Sequence, residues 1–208
     1  MGSFLSLWPR CGRRTIGILL LTTAALLTGC VKPYLDPGTK EVARSEFRQI
    51  EQPKPVHMVF EFQTKGAPNA RATKFLAEQV TQQIKGSGLF AGLDAPGSPE
   101  VAVLQVTLNN VPVTSENDAF AKGFGTGLTF GLIGSSVSDG YICTVSYLAP
   151  GSTTPIVKTA RHAIHTTVGN HAPPPGAIAA ADTTEAVRTM TRQILSNALF
   201  DLSKDPQF

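Results

Sequence analysis

Four stretches of the chain have the apolar patterns that are typical of β-strands. They lie at residues 56–62, 101–108, 141–147 and 156–168. The second is apolar on both faces, which predicts a strand in the middle of a sheet. The third has one clear apolar face, made of Tyr141, Cys143, Val145 and Tyr147.

Two further stretches repeat apolar residues every three or four positions, as amphipathic helices do. The first ends at Gly86 and Gly88, and the second opens with Asp182 and Glu185 in the spacing of a capping box. The apolar stripe of the first consists of Ala72, Leu76, Val80 and Ile84, with Phe75 beside it. The stripe of the second consists of Val187, Met190, Ile194, Ala198 and Leu202. Each stripe requires an apolar surface to cover it.

The predicted order is strand, helix, strand, strand, strand, helix. A mainly antiparallel four-stranded sheet with both helices on one face would bury the two stripes together. The sequence therefore predicts an α+β fold, a two-layer sandwich, with residues 56–208 as a single domain.

Residues 30–55 precede the first predicted strand and favour a tether. Prolines interrupt this stretch at positions 33, 37, 53 and 55. A short helix within it would place Ala43, Phe47 and Ile50 on one face. A flexible coil of about 25 residues spans about 25–30 Å, so we expect the domain to remain close to whatever holds its N-terminus.

Residues 1–29 have the three-part order of a secretion signal. Arg10, Arg13 and Arg14 precede an uncharged run whose apolar centre is residues 16–27. This centre is shorter than the about 20 apolar residues of a transmembrane helix. The sequence therefore predicts a leader that is removed.

The end of this leader resembles that of bacterial lipoproteins. Leu27-Thr28-Gly29-Cys30 has the aliphatic residue, two small residues and cysteine of their lipobox. The resemblance implies signal cleavage between Gly29 and Cys30, a diacylglyceryl thioether on the cysteine sulfur, and an acyl group such as palmitate on the new amino terminus. Covalent lipid on Cys30 is then the membrane anchor, and no cofactor is expected.

The lipoprotein resemblance also bears on location. An aspartate after the lipidated cysteine favours retention at the inner membrane of enteric bacteria, and Val31 stands there instead. We expect lipid anchoring in the cell envelope, at the outer membrane facing the periplasm. The predicted element order also resembles small envelope lipoproteins of the lipopolysaccharide-assembly lipoprotein type, a topological resemblance that carries no motif and transfers no functional residue.

An apolar, glycine-rich segment at residues 119–135 lies between the second and third predicted strands, and Lys122 carries its only charge. Whether this segment forms a strand or a helix, much of its glycine backbone has no side chain to cover it. Each glycine inside such an element lowers its stability by about 0.5–1 kcal/mol relative to alanine. Something must therefore cover this segment: the domain's own core, another protein, or the bilayer surface. Its candidate interaction residues are Phe120, Gly123, Phe124, Gly127, Leu128, Phe130, Gly131, Leu132 and Ile133.

The charge balance excludes nucleic acid as a partner. Three of the 18 lysines and arginines lie in the leader, which leaves 15 to balance the 15 acidic residues of the mature chain. A near-neutral chain of this kind lacks the basic surface that nucleic acids require.

No arrangement of residues indicates catalysis or a metal site. His162 and His165 lie in the fourth predicted strand, where an odd separation directs them to opposite faces and prevents them from sharing a metal. Cys143 on an apolar strand face indicates packing. Gly134-Ser135-Ser136 lacks the spacing of a nucleophile elbow.

These features together favour a non-enzymatic accessory or structural envelope lipoprotein that docks on an unknown envelope protein through the glycine-rich segment. A carrier of lipid or another apolar ligand, with that segment as a lid, is the alternative. A hydrolase or thiol enzyme using Cys143 or a serine near Ser136 is the third hypothesis.

Overall fold

A computed structural model describes residues 31–113, 137–169 and 172–208 of the chain. Within these ranges the chain forms seven strands and two α-helices. The strands are β1 Val31–Leu35, β2 Val56–Thr64, β3 Ala67–Pro68, β4 Ala102–Val113, β5 Val137–Leu148, β6 Ile156–Val168 and β7 Ile178–Ala179. The helices are α1 Ala70–Ser87 and α2 Thr183–Lys204.

All the described strands belong to one open sheet, in the order β3-β2-β4-β5-β6-β1-β7. The four strands predicted from the sequence are its central members β2, β4, β5 and β6, and the mixed α+β class is confirmed. The predicted four-stranded sheet is too small. The far edge of β6 is extended by β1 and then by the short β7, while β3 folds back on the end of β2.

Helix α1 makes β2 and β4 parallel, because it carries the chain from the end of one strand back to the start of the other. The side-chain oxygen of Asn69 caps its first turn by accepting the N–H of Ala72 at 3.0 Å. The helix ends at Gly88, whose φ of 74° is the left-handed conformation that favours glycine. The other neighbouring strands of the sheet pair antiparallel.

Helix α2 begins where the capping-box spacing predicts. The Asp182 carboxylate accepts the N–H of Glu185 at 2.8 Å, which satisfies a backbone donor of the first turn. Val187 of the predicted stripe is partly buried. The rest of that stripe is buried, namely Met190, Ile194, Ala198 and Leu202.

The two helices pack side by side on the same face of the sheet. Two glutamines of α1, Gln79 and Gln83, donate from their side-chain amides to the backbone carbonyls of Arg188 and Arg192, each at 2.7 Å. Both pairs are spaced by four residues, so the same bond recurs one helical turn further along. The sheet and helices enclose the core, whose largest fully buried side chains include Leu76, Ile84, Leu104, Leu108, Met190, Ile194 and Leu199.

The structure corrects the prediction that residues 30–55 form a flexible tether. Val31–Leu35 is strand β1, and its register with β6 places Leu35 opposite Ile164. Pro33 has no N–H to donate, but its carbonyl accepts the N–H of Ala180 at 3.0 Å, so the proline is accommodated in the sheet. Val31–Leu35 is therefore part of the folded domain.

Residues 36–50, which we call the strap, run along α2. The Val42 N–H donates to the Ser196 hydroxyl at 2.9 Å, and the Arg48 N–H donates to the Ser203 hydroxyl at 3.3 Å. Serines of the helix thus satisfy backbone groups that a free tether would leave to water.

The short helix predicted within the strap is reduced to a single 3-10 turn at Arg44–Glu46. Ala43 is exposed, whereas Phe47 is buried and its ring centroid lies 6.1 Å from that of Phe200. Phe47 therefore packs against α2, and the partly buried Ile50 packs against the core, but an irregular backbone rather than a helix face presents them.

Candidate functional site

The residues predicted to carry function lie outside the described parts of the chain. Gly29 and Cys30 come directly before Val31, and the glycine-rich segment falls within residues 114–136. Its candidate residues, all outside the described ranges, are Phe120, Gly123, Phe124, Gly127, Leu128, Phe130, Gly131, Leu132 and Ile133. The structure describes instead the residues that flank Cys30 and the glycine-rich segment.

The glycine-rich segment joins the ends of two paired strands. Strand β4 ends at Val113, which lies opposite Ser138 near the start of β5. Residues 114–136 therefore connect adjacent positions of the paired strands β4 and β5.

The start of β1 lies at this same end of the sheet. Val137 of β5 is opposite Thr166 of β6, and Val168 of β6 is opposite Val31 of β1. Neighbouring strands are about 4.8 Å apart, so the three steps from β4 to β1 cover about 14 Å. We call this the Val31 end of the sheet, and it carries both the connection to Cys30 and the flanks of the glycine-rich segment.

Cys143 has the environment of a packing residue. Its side chain is 1% exposed, and burial raises the pKa of its thiol to about 12. A thiol with that pKa holds a negligible fraction of reactive thiolate at neutral pH. The geometry of Cys143 therefore does not favour the thiol-enzyme hypothesis.

His162 and His165 are both buried and have different partners. The Nδ1 of His162 accepts the N–H of Ala163 at 2.7 Å, which assigns the ring proton to Nε2, and Nε2 donates to the Gln193 side-chain oxygen of α2 at 2.6 Å. The Nε2 of His165 lies 3.0 Å from a carboxylate oxygen of Asp36. The two rings therefore point to separate polar partners, as their odd spacing in the strand predicts.

Asp36 was not identified from the sequence. It follows β1 directly and is fully buried, with its second carboxylate oxygen accepting the N–H of Gly38 at 2.8 Å and its own N–H donating to the carbonyl of Ala163 at 3.1 Å. A buried carboxylate is stable only with partners such as these. The available signal was the apolar alternation at positions 31, 33 and 35, which the proline obscured.

We expect the free energy of unfolding to fall on acidification, with His162 carrying part of that loss. Burial disfavours the charged imidazolium and lowers the pKa of His162 from its ordinary value of 6.5. Below pH 6.5 the unfolded chain binds a proton that the folded chain does not, so the stabilisation is fully present above that pH and is lost as the pH falls further.

Urea unfolding at about pH 8 and about pH 5.5 measures this effect in the wild type and in His162→Gln. Glutamine keeps a hydrogen-bonding amide but does not titrate, so the variant should lose less stability between the two pH values. An equal loss in both proteins would assign the acid sensitivity to other groups.

The described ranges contain neither a candidate membrane span nor a candidate metal site. None of their helices combines the length and apolar character needed to cross a bilayer. Within those same ranges, His, Cys, Asp and Glu side chains do not gather in groups of three or more, the minimum of a typical protein metal site.

An apolar groove lies at the end of the sheet opposite Val31. Its volume is about 190 Å³, below the about 300–1,000 Å³ of pockets that hold small-molecule ligands. Its apolar lining residues are Ile50, Leu89, Phe90, Tyr147 and Phe208. A larger cavity, of about 460 Å³, lies beside the strap and is lined by Arg44, Ser45, Phe47, Arg48, Gln49, Ile50, Ser87 and Gly88.

Comparisons with known proteins place the chain near solved structures only at low similarity. No family model and no curated protein matches it. Rare lipoprotein B from Shewanella oneidensis is 11% identical, with a TM-score of 0.34 over 70% of this chain and 92% of that chain. A putative neuraminyllactose-binding hemagglutinin homolog from Helicobacter pylori is 15% identical, with a TM-score of 0.35 over 76% of this chain and 88% of that one. The PelC dodecamer from Paraburkholderia phytofirmans is 11% identical, with a TM-score of 0.32 over 86% and 99% of the two chains. No functional assignment follows from similarities this low.

Proposed function

We propose that this chain is a non-enzymatic envelope lipoprotein, anchored by lipid on Cys30, which docks on a protein of the same membrane through its glycine-rich segment. The observation that carries the proposal is the position of the two features. The connection to Cys30 and both flanks of residues 114–136 lie at the Val31 end of the sheet.

The lipobox supports the anchor. Leu27-Thr28-Gly29-Cys30 follows three arginines and an apolar run, in the order that export and lipidation require. Each buried methylene of an acyl chain contributes about 0.8 kcal/mol, so several chains hold a protein far more firmly than one. Outer-membrane sorting is the finer part of this proposal, and Val31 in place of aspartate supports it.

The environment of Cys143, the thiol candidate, supports a non-enzymatic role, whereas the serine candidate Ser136 lies outside the described residues. Cys143 is buried with a raised pKa, and His162 is satisfied as a neutral ring by Ala163 and Gln193. Neither group faces a cleft in which a substrate could reach it. The lipid-anchored domain is thus better suited to holding a partner than to transforming a substrate.

Deletion of residues 120–133 is expected to abolish capture of the partner from intact, crosslinked cells while leaving the thermal melt unchanged. The physical reason is that β4 and β5 pair directly at Val113 and Ser138, so the hairpin survives a shorter connection. Capture by affinity purification and melting by circular dichroism measure the two effects.

A matched control deletes residues 150–154 from the 149–155 loop, which joins β5 to β6 at the opposite end of the sheet. This variant should retain the partner. Retention of the partner by the 120–133 deletion, or its loss from both variants, would contradict docking through the glycine-rich segment.

A further inference from the structure

Two valines form an exposed apolar pair at the Val31 end of the sheet. Val31 and Val168 lie opposite each other in β1 and β6, and they are 58% and 46% exposed. Covering both side chains would remove apolar surface from water, at roughly 25 cal/mol per Å². The pair is therefore a surface that gains from contact with an apolar or interfacial environment.

We propose that this valine pair rests in the headgroup region of the membrane that carries the lipid, so that the sheet stands on the bilayer by its Val31 end. The inference depends on the proposed lipidation of Cys30. Consecutive Cα atoms are about 3.8 Å apart, so the lipid-bearing residue directly adjoins the pair. The headgroup region of each leaflet is about 5–8 Å thick, so a pair this close to the anchor lies within its reach.

Strand β1 leaves no room for a flexible linker between Cys30 and the sheet. Strand β1 pairs with β6 from its first residue, and the carbonyl of Pro33 is bonded to Ala180 on its other side. Just beyond the strand, Asp36 is buried against His165. A lipid on Cys30 would therefore hold the sheet directly, with a defined end towards the bilayer.

The bilayer is favoured as occupant over a protein because the residue preceding Val31 would itself carry acyl chains into the membrane. The neighbouring Lys32 is exposed, and a cation at this level suits the anionic headgroups of bacterial lipids. Contact with the bilayer at this end also leaves the opposite end of the sheet facing away from it.

Matched cysteine variants test the orientation. Val168→Cys probes the Val31 end, and Val157→Cys probes an equally exposed valine, 51% accessible, about 35 Å away along β6. The native Cys143 is buried, and Cys30 would be blocked by its lipid. The full-length protein is purified from cells, labelled with bimane, and reconstituted in phosphatidylethanolamine and phosphatidylglycerol vesicles that contain a headgroup-nitroxide lipid.

Bimane at position 168 is expected to lose most of its emission in these vesicles, while bimane at position 157 keeps the emission it has without nitroxide. Inserting a flexible spacer of about 20 glycine and serine residues after Cys30 should restore the emission at 168, since such a spacer spans about 25 Å. If Val168→Cys fails to fold, the exposed Lys32→Cys on the adjacent strand replaces it.

Intact mass of the same preparations separates failure of this inference from failure of the proposed function. Lipidated protein with equal emission at positions 168 and 157, or with quenching that survives the spacer, overturns the orientation alone. Protein without acyl mass overturns the anchor, and the orientation with it.

Discussion

Replacing Asp36 by alanine should lower the free energy of unfolding by about 2–4 kcal/mol, because the variant leaves hydrogen-bond partners of the carboxylate without an acceptor inside the protein. The fully buried Asp36 carboxylate lies 3.0 Å from the Nε2 of the equally buried His165 and also accepts the N–H of Gly38. Chemical denaturation followed by circular dichroism measures the change. The result also distinguishes a packed segment from a flexible tether, because an aspartate in a flexible tether would contribute almost nothing to stability.

Glu41→Ala is the control within the same strap. Glu41 pairs with Arg192 of α2 at 3.3 Å, but the two side chains are 49% and 45% exposed. Exposed pairs of this kind contribute at most about 1 kcal/mol, so this variant should unfold close to the wild type. Equal, small effects of Asp36→Ala and Glu41→Ala would contradict the packing of residues 31–50 on the domain.

Cys30→Ala should abolish acylation entirely and leave residues 1–29 attached, since the lipobox cysteine is both the acceptor of the lipid and the residue before which the leader is cleaved. Metabolic labelling with an alkyne analogue of palmitate measures the first effect, and the increase in chain mass measures the second. The expected change is all or none, because neither remaining cysteine stands in a lipobox: Cys11 precedes the apolar run of the leader, and the thiol of Cys143 is buried.

Cys143→Ala is the matched control and should keep full labelling and normal cleavage. Label that persists in Cys30→Ala and disappears in Cys143→Ala would place the lipid elsewhere and contradict the lipobox interpretation.

Local patterns predicted the helices and the central strands, because the residues that specify those elements lie within them or directly beside them. The capping pair at Asp182 and Glu185 marks the start of α2, and Gly88 marks the end of α1. Strand β6 was bounded correctly at Ile156 and Val168 by the turn residues before it and its own alternation. Each of these signals lies within a few residues of the feature that it specifies.

The missed parts depend on contacts between distant residues. Strand β1 has only five residues, including a proline, and its stability comes from pairing with β6 and from Asp36 meeting a histidine 129 positions away. The alternation of so short a stretch does not separate a strand from a tether. The strap was missed for the same reason, since the hydroxyls of Ser196 and Ser203 that hold it belong to α2.

The candidate site also combines features that local residues specify with features that depend on distant contacts. The opposite directions of His162 and His165 follow from strand geometry alone, whereas the shared end of the sheet follows only from the registers of β4, β5, β6 and β1. Those registers place the flanks of the glycine-rich segment beside the start of the folded domain, which the sequence order separates by more than 80 residues.

The most direct test of the lipid anchor is the intact mass of the protein extracted from membranes. We expect a chain that begins at Cys30, lacks residues 1–29, and carries the added mass of a diacylglyceryl group and an amide-linked acyl chain. A chain with an unmodified Cys30, or one that retains its leader, would contradict the lipid anchor.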